Sequence, residues 1–250
     1  LNKPSLSGKK IFITGGTSRL GQAFVQRALR EGAQVFFSYA KARDTAEHLS
    51  RLGARGYALD LNNLSSSTCL ARDLEKDAGF LDALIHNAAA VRDATLQTMT
   101  ETDWDEVLTA DLKAPFLLTQ KLLPLLTKPR EAAAGCAKIL FLTSRAAFRG
   151  SYGAANYAAA KAGVIGLVKS LAAELGSIPV LVNALNPGFM ISGMTENLPE
   201  PVKEIQRKAS PLERFSNPEE VADFLVYLVS DRMSQVTGQV FHWDSRGMNF

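Results

Sequence analysis

Of the five tyrosines in this chain, only Tyr157 has a lysine four residues on, Lys161. The pair lies in Ala155-Asn156-Tyr157-Ala158-Ala159-Ala160-Lys161-Ala162-Gly163, and a spacing of i to i+4 puts both side chains on one helix face. The alanines between them leave that face low enough for a ligand to press against it. A phenol is a poor proton carrier at neutral pH, but a neighbouring ammonium favours the phenolate and makes the group usable as a general acid/base. Thirteen residues before Tyr157, at the end of a predicted strand, stands Ser144, whose hydroxyl can hydrogen-bond a carbonyl oxygen as charge develops there. Taken singly, a Tyr-x-x-x-Lys pair is also an ordinary helix contact. Together the three residues point to hydride-transfer chemistry, in which a cofactor brings the hydride and the protein the proton. Arg145 and Arg149, next in the chain, either face a polar or anionic substrate or are two solvated arginines.

A place for such a cofactor is written near the start. After a first β-rich run comes Thr14-Gly15-Gly16-Thr17-Ser18-Arg19-Leu20-Gly21, leading into a helical pattern. Glycines there let the backbone turn tightly and approach a pyrophosphate, whose charge is met by free N–H groups and the positive end of the helix dipole. At the end of the second strand, Phe37-Ser38-Tyr39-Ala40-Lys41-Ala42-Arg43 holds no carboxylate until Asp44, so nothing there would repel a 2′-phosphate. Arg19, Lys41 and Arg43 can supply positive charge to it, or can be surface bases. The expected cofactor is NADP(H).

The elements that must position these residues alternate. Lys10 to Thr14, Val35 to Tyr39, Gly56 to Leu59, Ala83 to His86, Ile139 to Leu142, Val180 to Leu185 and Gln239 to His242 read as strands, and their nearly continuous apolar runs suit parallel strands covered on both faces. Helical patterns fall at Leu20 to Glu31, Asp44 to Leu52, Ser65 to Ala78, Thr102 to Leu126, Ala155 to Gly176 and Pro218 to Ser230. The expectation is an α/β, doubly wound Rossmann domain with a seven-stranded parallel sheet, formed by residues 1–250 as one unit. Arg130 to Ala137 reads as a surface loop. Asn186 to Arg214, with four of the ten prolines, reads as an irregular lid-like piece crossing the C-terminal edge of the sheet.

Composition excludes several classes. With 28 basic against 25 acidic residues, a net charge of +3 and no run of five or six bases, nucleic acid is not expected as a partner. Cys69 and Cys136 are too few for a disulfide framework, show no metal-ligand spacing and are expected to be buried or inert; no metal is expected. Leu1 to Lys10 has no apolar leader core, and stretches such as Phe224 to Val229 fall far short of the ~18 residues of a membrane span, so a cytoplasmic protein with no membrane partner is expected.

The strand, the Thr-Gly-rich turn, the serine and Tyr-x-x-x-Lys in this order resemble the short-chain dehydrogenase/reductase family, and the likeness runs over essentially the whole chain. Within it the 3-oxoacyl-[acyl carrier protein] reductase group is most similar, through Val91-Arg92-Asp93, the Asn156 to Gly163 block, and Pro187-Gly188-Phe189-Met190 with Met194 following. The resemblance implies that Tyr157 protonates the carbonyl oxygen, Lys161 holds the nicotinamide ribose, Ser144 orients the carbonyl and Asp111 occupies the fourth catalytic place. It implies cofactor contacts from Gly15, Thr17, Ser18, Arg19, Leu20, Gly21, Tyr39, Lys41, Asp60, Leu61, Asn87, Ala88, Ala89, Tyr157, Lys161, Pro187, Gly188 and Met190.

Several residues depart from the pattern. Arg19 replaces the middle glycine of the turn, Ala89 another glycine and His86 an asparagine; His86 reads as a strand-end spacer rather than a catalyst. Asp111 stands where the family has asparagine, and its charge would partly cancel the ammonium field on Tyr157, with slower turnover or an alkaline-shifted profile; alternatively Lys113 or Lys161 meets that charge at little cost. The end of the catalytic helix, Leu171 to Ile178, lacks the arginines of the acyl-carrier reductases, although Lys128 and Arg130 can serve. Trp243-Asp244-Ser245-Arg246-Gly247 lacks the family's paired glycines. The implied activity is NADPH-dependent reduction of a 3-oxoacyl thioester or related small ketone, with an acyl carrier protein as a possible partner. The other readings are oxidation of a secondary alcohol, and a weakly catalytic cofactor-binding subunit of a hetero-oligomer. The resemblance also implies a homo-oligomer, dimer or tetramer, because in this family the helices that correspond to Thr102 to Leu126 and Ala155 to Gly176 pair between subunits.

Overall fold

The computed structural model describes residues 5–128, 135–193, 195–196 and 198–246. The elements run β1 (Lys10–Ile13), α1 (Arg19–Arg30), β2 (Gln34–Tyr39), α2 (Arg43–Arg51), β3 (Arg55–Ala58), α3 (Ser66–Ala78), β4 (Ala83–His86), α4 (Glu101–Leu108), a π-helical turn (Thr109–Lys113), α5 (Ala114–Thr127), β5 (Ala137–Leu142), the short α6 (Ala146–Arg149), α7 (Ala155–Leu175), β6 (Val180–Asn186), α8 (Glu200–Lys208), α9 (Pro218–Val229) and β7 (Val240–His242). The seven strands form one parallel sheet in the order β3-β2-β1-β4-β5-β6-β7. Order reverses between β1 and β4, so their C-terminal ends diverge into a crevice. This is the doubly wound Rossmann architecture read from the alternating pattern.

Strand alternation explains why both faces need cover. Ile11 and Ile13 of β1 pack with α1, α2 and α9 residues such as Phe24, Leu49 and Leu225. Phe12, between them, faces the opposite layer, where α3, α5 and α7 contribute Leu74, Leu122 and Val168. A strand buried on both sides must be apolar at every position, which is why the runs are continuous. Burying a side chain of this size stabilises by about 1.5–3 kcal/mol, so each layer holds its helices firmly against the sheet.

Several of the expected elements are corrected. The helix read as Thr102 to Leu126 is interrupted by the π-helical turn, where the Ala114 N–H reaches back five residues to the Thr109 carbonyl. Pro115 follows at once and has no amide to continue the α-helical ladder, so the wider turn loses little and α5 starts afresh. The piece read as irregular from Asn186 to Arg214 contains α8, whose start Pro199-Glu200-Pro201 suits a helix entry: a proline in the first turn forfeits only an amide that has no acceptor. The four-residue α6 was also absent from the sequence reading. The expected loop at Arg130 to Ala137 falls largely on 129–134, outside the described residues, and Ala137 itself begins β5. Of the two cysteines, expected to be buried or inert, Cys69 is exposed and Cys136 half-buried. No helix among the described residues is long and apolar enough to cross a membrane.

Candidate active site

The crevice opens as a cleft of about 870 Å³ along the C-terminal ends of the strands. Its first wall is the turn after β1. Gly15 has φ +65°, and a Cβ there would lie 2.9 Å from the Ala88 Cα, so the chain passes the loop after β4 too closely for a side chain. Asn87 holds the two loops together: its Nδ2 donates to the Thr14 carbonyl (3.0 Å), the Gly15 carbonyl (2.9 Å) and Ser18 Oγ (3.1 Å). The buried Thr14 Oγ1 accepts from the amides of Asn87 (3.1 Å) and Ala88 (3.0 Å).

Ser18 caps α1, its Oγ accepting from the Gly21 N–H at 3.1 Å while its carbonyl takes the Gln22 N–H at 2.8 Å. The amides of Arg19 and Leu20, first in the helix, receive no acceptor from the described residues. Both residues line the cleft, so two donors at a positive helix end face a space of dinucleotide size. Tyr39, Ala40, Lys41 and Ala42 continue the lining and bring a cation and no carboxylate. These features fit a dinucleotide with an additional phosphate.

The far end of the cleft is built on α7. Its inner face buries Asn156, Ala160, Lys161 and Val164, which leaves Tyr157 half-buried on the cleft side. Asn156 anchors the helix start: its Nδ2 donates to the carbonyls of Arg92 (3.0 Å) and Asp103 (3.1 Å), and its Oδ1 accepts the Tyr157 N–H at 2.8 Å. Lys161 Nζ lies 5.5 Å from the centre of the Tyr157 ring, donates to the Leu142 carbonyl at 3.2 Å and meets Asp111 Oδ2 at 3.1 Å. Asp111 Oδ1 accepts the Ala90 N–H at 2.7 Å. Both charges are buried. Burial pulls the Lys161 ammonium toward neutrality, but the Asp111 carboxylate and Tyr157 outweigh it and hold the lysine above its usual range. Burial pushes the Asp111 carboxyl up, against the opposing pull of Lys161 and the Ala90 amide. Of the two partners considered for Asp111, the geometry selects Lys161.

His86 lies near this pair but outside the cleft. It is buried, stacked on Phe141 with ring centres 4.5 Å apart, and its Nε2 shares a hydrogen bond of 2.8 Å with Thr119 Oγ1. Burial, with a smaller contribution from Lys161, lowers its pKa to about 3, and it does not line the cleft.

A family model described as enoyl-(acyl carrier protein) reductase matches residues 15–249. The chain belongs to the short-chain dehydrogenase/reductase family. The 3-oxoacyl-[acyl-carrier-protein] reductase FabG of Thermotoga maritima is 38% identical over 249 residues, covering 96% of this chain and 97% of that protein. Its namesake from Aquifex aeolicus is 35% identical over 243 residues, covering 95% and 96%. Among solved structures, the Pseudomonas aeruginosa RhlG/NADP active-site complex matches with a TM-score of 0.89 at 30% identity, covering 98% of both chains.

In this family member the cleft gathers Gly15, Thr17, Ser18, Arg19, Leu20, Tyr39, Lys41, Asp60, Leu61, Asn87, Ala88, Ala89, Tyr157, Lys161, Pro187 and Met190 from the residues singled out by sequence. Gly21 and Gly188 are not among the lining. A Cβ on Gly21 would collide with the Gly15 carbonyl, and Gly188 has φ +78°, a backbone conformation that favours glycine, so each position suits glycine for a reason other than cofactor contact. Ser144 sits half-buried just past β5, its Oγ accepting the Ala146 N–H at 3.2 Å, and Asp111 lies beneath the wall rather than in it. Arg19 reaches across to the Ile191 carbonyl (3.2 Å), tying the turn to the loop after β6. Lys128, considered for carrier docking, pairs with Glu75 at 3.0 Å; Arg130 and Met194 lie outside the described residues.

Sequence reasoning gave no role to Asn156 or Thr143, whose Oγ1 donates to the Lys161 carbonyl at 3.0 Å. Their adjacency to Tyr157 and Ser144 was the available signal. Ser192, Gly193 and Glu196 also line the cleft, and nothing in their types announced it. No three His, Cys, Asp or Glu side chains gather as metal donors among the described residues.

Proposed function

We propose that this chain is an NADPH-dependent ketoreductase that reduces a 3-oxoacyl thioester or related small ketone to the hydroxy compound. The observation that carries the reading is the Tyr157–Lys161 pair at the end of a cleft that begins at the free amides of α1, in a chain 38% identical to a 3-oxoacyl-[acyl-carrier-protein] reductase. Gly15, Thr17, Ser18, Arg19 and Leu20 would hold the pyrophosphate, Lys41 with Tyr39 the 2′-phosphate, Asp60 and Leu61 the adenine, and Asn87 to Ala89, Lys161, Pro187 and Met190 the nicotinamide end. Bound there, NADPH supplies the hydride. Tyr157 gives its proton to the substrate oxygen, Ser144 hydrogen-bonds that oxygen and orients it, and the Lys161 ammonium stabilises the phenolate left behind. Asp111 fixes Lys161 from below and tempers its field.

The matching family model bears the name of an enoyl reductase, which favours C=C reduction as a second reading. NADPH consumption measured in parallel on acetoacetyl thioesters, a carrier-bound 3-oxoacyl substrate, a simple ketone panel and a crotonyl thioester decides between them. The proposal expects turnover on the 3-oxo substrates and little on the crotonyl thioester; the reverse order, or no turnover at all, overturns it. The chain is further proposed to work as a cytoplasmic homo-oligomer, supported by Trp104 on α4 and Phe116 on α5, each 40% exposed. An acyl carrier protein remains the proposed donor of substrate, for which the carrier-bound arm is the test.

A further inference from the structure

One side chain bridges two walls of the cofactor cleft. Arg19 begins α1, where its own amide is one of the two unclaimed donors at the helix end. From there its side chain runs to the loop after β6, where Nη1 donates to the Ile191 carbonyl at 3.2 Å. Met190, Ser192 and Gly193, on either side of Ile191, line the cleft together with Thr17, Ser18 and Arg19 itself. The guanidinium therefore spans the cleft between the phosphate-facing turn and that loop. Among the described residues no other hydrogen bond joins the loop after β6 to the turn after β1.

The far end of the bridge is a preformed turn. Thr195 Oγ1 donates to the Met190 carbonyl at 2.6 Å and accepts the Ser192 N–H at 2.8 Å, and the amides of Thr195 and Glu196 both return to the Ser192 carbonyl, at 2.8 Å and 2.7 Å. Behind it the Ser216 N–H holds the Phe189 carbonyl at 2.8 Å. These bonds occupy the carbonyls on both sides of Ile191 and leave its own for Arg19. Glycine, which the resemblance puts at position 19, has no side chain to make such a bridge. The bridge is exposed, and in water a single contact of this kind holds weakly. A pyrophosphate at the α1 amides changes that balance: doubly anionic, it attracts the guanidinium and excludes water beneath it.

We propose that Arg19 is a positioning residue that clasps the loop after β6 over the pyrophosphate of a bound dinucleotide and so sets the rate at which the cofactor leaves. This rests on the cofactor site of the ketoreductase reading and adds to it a control on cofactor exchange. Pyrophosphate is common to NADPH and NADH, so the clasp slows the departure of both equally. Selection between them stays with Lys41 and Tyr39.

The test follows release of NADPH, and separately of NADH, from preloaded protein by fluorescence in a stopped-flow chase with excess NADP+. Arg19→Met keeps the side-chain length and the helix propensity and loses the donors. Both cofactors should leave it about three- to tenfold faster than the wild type, by the same factor, the size of one charge-assisted hydrogen bond at an exposed site. Unchanged release overturns the clasp, and so does acceleration confined to NADPH, which would make Arg19 a ligand of the 2′-phosphate instead. Thr195→Val removes the hydroxyl that shapes the turn; in that background Arg19→Met should accelerate release by a clearly smaller factor, because the two residues act as one unit. The same factor in both backgrounds overturns the clasp. A further readout needs neither cofactor nor turnover: in cofactor-free protein, hydrogen exchange at the Ser192, Thr195 and Glu196 amides should quicken in Arg19→Met while amides in α9 hold steady. Unchanged exchange at those three overturns the bridge. A wild type that binds neither cofactor counts instead against the ketoreductase reading, and the exchange measurement then decides the bridge by itself.

Discussion

Replacing Asp111 by asparagine changes one charge in the candidate site and little of its shape. The amide oxygen can still accept the Ala90 N–H that Asp111 Oδ1 takes at 2.7 Å. An ammonium 5.5 Å from the Tyr157 ring stabilises a phenolate there by about 3 kcal/mol at an effective dielectric of ~20. The carboxylate touching that ammonium at 3.1 Å lies close enough to take back at least about 2 kcal/mol on the same scale. Removing it should therefore favour the phenolate by about the same 2 kcal/mol. Lys161 also loses the group that holds it above its usual range, so burial acts unopposed and the ammonium is given up at lower pH than in the wild type. Both limbs of the rate profile for alcohol oxidation, where Tyr157 must accept a proton, should move to lower pH, and turnover near neutrality should rise. The variant should also melt roughly 10 °C lower, because a buried ammonium without its partner costs about 3 kcal/mol. Rates are therefore compared well below that temperature. An Asp111→Asn profile that is unchanged, or displaced to higher pH, would show that the carboxylate does not temper the lysine.

Other expectations follow from the same geometry. His86 cannot take up a proton in the folded state until about pH 3, whereas in the unfolded chain it does so near 6.5, so acidification between these values favours unfolding. Its contribution should be a loss of about 1.4 kcal/mol per pH unit in that window, and denaturant titrations of His86→Asn should show a shallower acid slope. Direct titration should find NADPH bound more tightly than NADH, and Lys41→Ala should reduce that preference by about three- to tenfold, the modest effect expected of an exposed cation. Equal affinities in the wild type would remove the argument from the carboxylate-free segment after β2.

The parts legible in the sequence are those set by local chemistry. Continuous apolar runs announced the doubly covered strands, Gly15 and Gly16 the tight turn, and the spacing of Tyr157 and Lys161 their shared helix face. What stayed hidden depends on contacts distant in the chain. The π-helical turn that places Asp111 under Lys161 arises where Pro115 interrupts the ladder of a segment whose apolar periodicity reads as one helix. Asn87 gave no sign that its amide would clamp the turn after β1. Arg145 and Arg149 were visible as charges beside Ser144, but that Arg246 pairs with Asp244 and reaches Gln206 emerges only once α8 and the segment after β7 are brought together. Cys69 falls on the exposed side of α3 because α3 buries Leu70 and Leu74 instead.

The most direct measurement of the central claim is the Tyr157→Phe variant assayed beside the wild type for NADPH binding and for NADPH consumption on an acetoacetyl thioester. The variant keeps the ring that lines the cleft and loses only the proton carrier. Binding within about twofold of the wild type, with turnover reduced by at least the roughly 10²–10⁴-fold expected for a lost general acid, is the predicted result. Turnover comparable to the wild type would contradict the assignment of the proton to Tyr157 and, with it, the reading of the cleft as a ketone-reducing site.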